Sequence, residues 1–139
     1  AYVCALPPDL EEIKRQMQVY ANECKEEFNV EGSLRDLFTS DQEQPENVKC
    51  FLDCAFKKNG LLKDGQVERE NYVRSMSVHV KPEVAGQIAD ACLGDADFST
   101  CDGVSKFQIC AVKKVKEVAP ETFEHDADDT RRVVLENYS

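Results

Sequence analysis

The chain has 139 residues, 42% of them apolar, with 27 acidic against 17 basic side chains and a formal net charge of -10. That length makes one domain with a real core but little to spare, and its apolar runs, a handful of residues each, are too short to span a bilayer. A field of that sign repels phosphate backbones, and apart from Lys113, Lys114 and Lys116 the basic residues are scattered. Nucleic acid and anionic membrane are therefore excluded as main partners.

The first five residues, Ala1-Tyr2-Val3-Cys4-Ala5, are apolar, with the small residues Val3 and Ala5 at the spacing a signal peptidase reads. Residues 1–5 are expected to be the end of a secretory signal, with Leu6 opening the mature chain. The alternative is a free or intermolecular thiol at Cys4.

From there the pattern is helical nearly throughout. Leu10, Ile13, Met17, Ala21, Cys24 and Phe28 recur at three and four, making one apolar stripe. Pro7-Pro8-Asp9 and the acids Glu11 and Glu12 supply its start, and Gly32-Ser33 its expected end. Ser33 then caps a short helix carrying Leu34, Leu37 and Phe38, with Asp36 three positions on. Pro45 is expected at the first position of the next helix. That helix is apolar on several sides through Cys50, Phe51, Leu52, Cys54, Ala55 and Phe56, as a central buried helix is. Lys57 and Lys58 suit its last turn and Gly60 its end.

After a turn at Asp64-Gly65, a fourth helix is expected from Val67 to about His79. A fifth follows Pro82 to Gly94, a loop holds Asp95 to Gly103 with Cys101, and a sixth runs from Phe107 until Pro120. No strand alternation stands out, so the class is all-α, with about six helices. Residues 6–119 form the body and 120–139 a long C-terminal tail. The tail ends in an apolar set (Val133, Val134, Leu135, Tyr138). As a helix its last dozen residues would reach roughly 18 Å, more than a domain radius of gyration of about 14 Å, and could lie across or inside the body.

Six cysteines form a ladder, Cys24, Cys50, Cys54, Cys92, Cys101 and Cys110, with 25, 3, 37, 8 and 8 residues between them. Cys50 and Cys54 leave one face of a helix a turn apart, so one central helix can be bolted to two neighbours. An even set in a small chain points to disulfides and an oxidising compartment. Zinc would prefer Cys-x2-Cys knuckles or nearby histidines, and His79 and His125 are distant. No cofactor or metal is implied.

This spacing resembles the insect odorant-binding proteins, the family that includes pheromone-binding proteins. The resemblance runs from about Leu10 to Val118 and is strongest over Val48-Lys49-Cys50-Phe51-Leu52-Asp53-Cys54-Ala55-Phe56-Lys57-Lys58-Asn59-Gly60-Leu61-Leu62, with Cys-x8-Cys closing the ladder. Cys4 and the long tail depart from the pattern. The resemblance implies three interlocked bridges, Cys24–Cys54, Cys50–Cys101 and Cys92–Cys110, around an internal apolar cavity. It also implies a secreted carrier of small hydrophobic molecules (odorants, pheromones or fatty acids), a monomer or weak homodimer with a membrane chemoreceptor as a candidate partner.

A ligand space of ~400 Å3 would cost on the order of 10 kcal/mol, against a total stability of about 5–15 kcal/mol. Three bridges, each contributing roughly 3–4 kcal/mol, would let such a shell stay hollow. The expected lining is Met17 and Tyr20 on the first helix, then Phe56, Leu61 and Leu62 at the end of the central one. Tyr72 and Met76 follow on the fourth, Ile88 on the fifth, and Phe107, Ala111 and Val115 on the sixth. Tyr20, Tyr72 and Ser75 are candidate hydrogen-bond partners for an alcohol, aldehyde or ester. His79, His125, Val133 and Tyr138 are candidates for a pH-dependent tail switch.

Two other classes compete. Secreted helical lipolysis needs a helix histidine beside paired cysteines and a glycine-rich calcium loop; neither histidine has a cysteine neighbour. Asp95-Ala96-Asp97-Phe98-Ser99 begins like a calcium loop, but Thr100 and Lys106 stand where glycine and glutamate are required. An enzyme is therefore not expected. The alternative to a carrier is a secreted interaction or defence protein on the same scaffold with a filled core.

Overall fold

The computed structural model describes residues 8–124. Cys4 and the expected signal remnant lie outside the described residues, as do His125, Val133 and Tyr138. Seven helices and one small hairpin are described: α1 (Pro8–Glu27), α2 (Leu34–Thr39), α3 (Glu46–Lys58), β1 (Leu62–Lys63), β2 (Gln66–Val67), α4 (Arg69–Met76), α5 (Pro82–Cys92), α6 (Cys101–Val118) and α7 (Glu121–Glu124).

Helix α3 is the hub. It packs on α1 on one side and α6 on another, and α5 joins α6 to α4. Its buried residues Val48, Phe51, Leu52, Cys54, Ala55 and Phe56 cover more than one face, so it needs neighbours on several sides. Its end is set by local chemistry. Gly60 takes φ 73°, which glycine adopts without steric cost. The Leu61 N–H then donates to Phe56 O at 2.9 Å and the Gly60 N–H to Lys57 O at 3.1 Å. This reversal satisfies two terminal carbonyls and turns Leu61 inward, where it is buried.

The same device ends α1. Asn29 stands at φ 54°, and the Val30 N–H donates to Lys25 O at 2.9 Å. The helix therefore stops at Glu27, several residues before Gly32-Ser33, because an asparagine tolerates the left-handed position almost as well. Ser33 does cap α2, its hydroxyl accepting from the Asp36 N–H at 3.1 Å. Pro45 is the N-cap of α3 rather than its first helical residue.

Three further boundaries differ from expectation. Asp64 (φ 54°) and Gly65 (φ 76°) are both left-handed and close a two-residue hairpin pairing Leu62 with Val67 and Lys63 with Gln66. Such a turn is what an Asp-Gly pair favours, but strands this short show no alternation. Helix α4 is consequently shorter than expected: Val67 belongs to β2, and His79 lies beyond the helix in a turn. Cys101 is not in a loop but opens α6, where the Thr100 hydroxyl caps the Gly103 N–H at 3.0 Å.

The structure joins Cys24 to Cys54, Cys50 to Cys101 and Cys92 to Cys110, with Cα–Cα distances of 5.8, 4.8 and 5.9 Å. These are the pairs the resemblance implies. Two leave α3, tying it to α1 and to the start of α6, and the third ties α5 to α6. Beside the second bridge, Lys49 of α3 reaches Asp102 of α6 at 2.7 Å and Glu43 at 2.5 Å. Hydrogen bonding to Asp102, then to Glu43, pushes the Lys49 ammonium up from its ordinary value, keeping it charged.

Candidate functional site

The stapled helices do not close completely. A cavity of about 100 Å3 lies among α1, α2, α3, α4, α6 and α7. Met17 of α1 forms one side, and Phe38 and Thr39 of α2 another. The end of α3 supplies Ala55, Phe56 and Asn59, followed by Leu61. Helix α4 and the turn after it contribute Tyr72, Ser75, Met76, His79 and Val80. Helix α6 presents Gln108, Ala111, Val112 and Val115, and Thr122 of α7 completes the lining.

Met17, Phe56, Leu61, Tyr72, Met76, Ala111 and Val115 of the expected set are brought together at this cavity, with His79 beside them. Four expected residues are placed elsewhere. Ile88 is fully buried on α5 and Leu62 is drawn into β1, neither reaching the cavity. Tyr20 lies one turn from Met17 on α1 and does not reach it either.

Phe107 stands behind the wall. Its ring meets Tyr72 at 5.2 Å, Phe98 at 5.4 Å and Phe56 at 6.0 Å between centroids, all edge-on. Such pairs add about 0.5–1.5 kcal/mol each beyond burial. Phe107 thus fixes two rings that do line the cavity.

Phe38, Thr39, Ala55, Asn59, Val80, Gln108, Val112 and Thr122 also border the space but were not expected to. For α6 the signal was present: Gln108, Ala111, Val112 and Val115 are one helical face at spacings of three, one and three. Nothing comparable announces Thr39 or Thr122, which arrive through tertiary packing.

Among the described residues no Asp, Glu, Lys or Arg lines the cavity. Three of its polar side chains are engaged with backbone carbonyls. The Thr39 hydroxyl donates to Arg35 O at 2.8 Å, the Asn59 amide to Ala55 O at 2.8 Å, and the Gln108 amide to Phe38 O at 2.8 Å. Tyr72 differs: the side chain is fully buried, and among the described residues its hydroxyl has no hydrogen-bond partner. Burial pushes the phenol up from its ordinary value, so it keeps its proton.

His79 retains some exposure as a residue, while its Nδ1 is fully buried. Burial, and secondarily the positive Lys14, lower its pKa from 6.5 to about 4. At neutral pH the whole described wall is uncharged.

A helical shell with three interlocked bridges and an uncharged cavity among the described residues has the form of a small-molecule carrier. The PBP/GOBP family model matches residues 8–114, and the chain belongs to that family, the insect odorant-binding proteins. It is 28% identical over 102 residues to general odorant-binding protein 56a of Drosophila melanogaster, covering 72% of this chain and 73% of that one. The fatty acid binding protein OBP56a from the oral disk of the blowfly Phormia regina has a similar solved structure. It superposes with a TM-score of 0.56 at 28% identity, covering 81% of this chain and 97% of the other. The chain is therefore a carrier of small hydrophobic ligands in a family of binding proteins, and no described helix is long and apolar enough to cross a membrane.

Proposed function

We propose that the cavity bordered by Met17, Phe56, Tyr72, Met76 and Ala111 is the ligand seat of a secreted, non-catalytic carrier. It would move apolar molecules through an extracellular fluid, as a monomer or weak homodimer, for delivery to a membrane chemoreceptor. The observation that carries this is the cavity itself, an uncharged space of about 100 Å3 held open inside a cage of three disulfides. The fatty-acid-binding blowfly relative supports a ligand with an aliphatic chain. Met17 and Met76, unbranched and polarizable, can adapt the wall to such chains.

Any acid-dependent release between pH 7 and 5 is assigned to the tail. Burial holds His79 neutral down to about pH 4, too low to switch over that range. The tail begins at the site, since Thr122 borders the cavity, while His125, Val133 and Tyr138 are its candidate switch residues.

Displacement of an environment-sensitive apolar dye tests the carrier. Saturable one-site binding with competition by aliphatic compounds is expected. Failure of the oxidised, folded protein to bind dye or competitor would favour an interaction protein. Comparing affinities at pH 7 and 5 for the full chain and for one cut before Tyr138 tests the tail: equal behaviour at both pH values removes it as a switch.

A further inference from the structure

We propose that Met17 and Met76 are a peroxide-sensitive modification site in the cavity wall: conversion of their thioethers to sulfoxides weakens the hold of the folded protein on apolar ligands. This rests on the carrier reading and adds to it a chemical control of release.

The choice of residue follows from which sulfur is left to oxidise. All six cysteines of the ladder are paired as disulfides, so among the described residues the reduced sulfur belongs to methionine. The chain has two methionines, and both border the same cavity, Met17 from α1 and Met76 from the end of α4.

Both are also accessible. Other apolar lining residues, such as Phe56, Leu61 and Val115, are buried. Met17 and Met76 pack against the core but are only half-buried. A small oxidant therefore reaches them without unfolding the protein.

The oxidant is hydrogen peroxide. A thioether lone pair attacks one peroxide oxygen, the O–O bond breaks and an S–O bond forms. The departing hydroxide takes up the proton of the new hydroxyl and leaves as water, so sulfur loses the two electrons that peroxide gains. The product puts a polar group where a flexible apolar one stood. Thr39, Asn59 and Gln108 already donate to backbone carbonyls, and no Lys or Arg among the described residues lines the space. The sulfoxide oxygen is then satisfied by water drawn into the space an apolar ligand would fill.

The test treats the full-length, disulfide-bonded protein with hydrogen peroxide at pH 7.5. Peptide mapping by mass spectrometry locates the added oxygen and separates Met17 and Met76 from Cys4. Affinity for a neutral apolar dye is measured before and after, with melting curves to establish folding. One oxygen on each methionine is expected, with dye binding about tenfold weaker and the loss tracking their oxidation. In Met17→Leu/Met76→Leu the affinities before and after peroxide should agree within about twofold, whatever value they start from. Each single variant should lose an intermediate amount, which keeps the comparison open if the double variant does not fold. Four results overturn the proposal while dye binding by untreated protein leaves the carrier standing. They are methionines that resist, in the folded protein, a peroxide dose that oxidises them in urea; full oxidation with unchanged affinity; an equal loss in the double variant; and release only through unfolding. Failure of the untreated protein to bind the dye overturns both readings.

Discussion

Tyr72 carries a strain that substitution can relieve. Its hydroxyl is buried with no hydrogen-bond partner among the described residues, so removing it takes away a desolvation penalty rather than a bond. Tyr72→Phe should leave the ligand-free protein as stable as wild type or more stable, by up to about 1–2 kcal/mol, in urea or thermal denaturation. A loss of that size would mean that the hydroxyl has an acceptor.

His79 gives a pH dependence whose sign follows from its depressed pKa. Between about pH 6.5 and 4 the unfolded chain binds the proton that the folded protein refuses. Its contribution is therefore complete above pH 6.5, falls as pH drops toward 4, and is flat below. The amplitude is on the order of 3 kcal/mol. Carboxylates such as Asp102, lowered by Lys49 and then Lys106, add their own acid slope at lower pH. The difference between wild type and His79→Gln isolates the histidine: the variant should lose less stability between pH 7.5 and 4.5. Identical slopes would show a ring that takes its proton as readily in the folded state.

At the scale of elements, the opening turn of α6 is the tightest joint. A Cβ built on Gly103 would stand 1.5 Å from the Asp97 backbone oxygen, a clash that no rotamer relieves because the partner is main chain. Asp97 is itself fixed by accepting from the Ser99 N–H at 3.0 Å and hydroxyl at 2.6 Å. Gly103→Ala should cost about 3 kcal/mol or more. Thr100→Ala, which loses only the cap, should cost about 1 kcal/mol. Denaturant midpoints of the two variants check the ranking, and a Gly103→Ala protein as stable as wild type would show that the loop moves freely.

This joint also marks where sequence reading succeeds and fails. The stripe of α1, the many-sided burial of α3 and the cap at Ser33 were legible because periodicity and capping are local. The α3 reversal at Gly60, which aims Leu61 at the cavity, was legible for the same reason. The residues 95–103 were not, because Gly103 reads as a loop residue. It sits in the first turn capped by Thr100, and it is glycine because the Asp97 carbonyl leaves no room for a Cβ. Likewise Phe107 and Ile88 read as lining because depth along a helix face is invisible in one sequence. An apolar residue at the cavity surface and one a layer behind it have the same periodicity.

For the whole molecule, the energetics of hollowness are milder than the sequence suggests. The cavity is about 100 Å3 rather than ~400 Å3, so its cost is about 2–3 kcal/mol. One bridge, closing a span of 18, 30 or 51 residues, contributes roughly 3–4 kcal/mol in the chain-entropy model and offsets it. The remaining two do more than keep a space open: they fix the relative placement of α1, α3 and α6, whose side chains define the shape of the wall.

Whether that space is the ligand seat is decided most directly by filling it. Ala111 faces the cavity from α6 and is buried, so Ala111→Phe places a ring where a ligand would lie. Dye titration and thermal melting of the oxidised wild-type and Ala111→Phe proteins should show saturable one-site binding by the first. The second should bind about tenfold more weakly or worse, with a melting temperature no lower than wild type because the ring occupies empty space. Undiminished dye binding by Ala111→Phe, or a loss of about 1–3 kcal/mol as in an overpacked solid core, would contradict it.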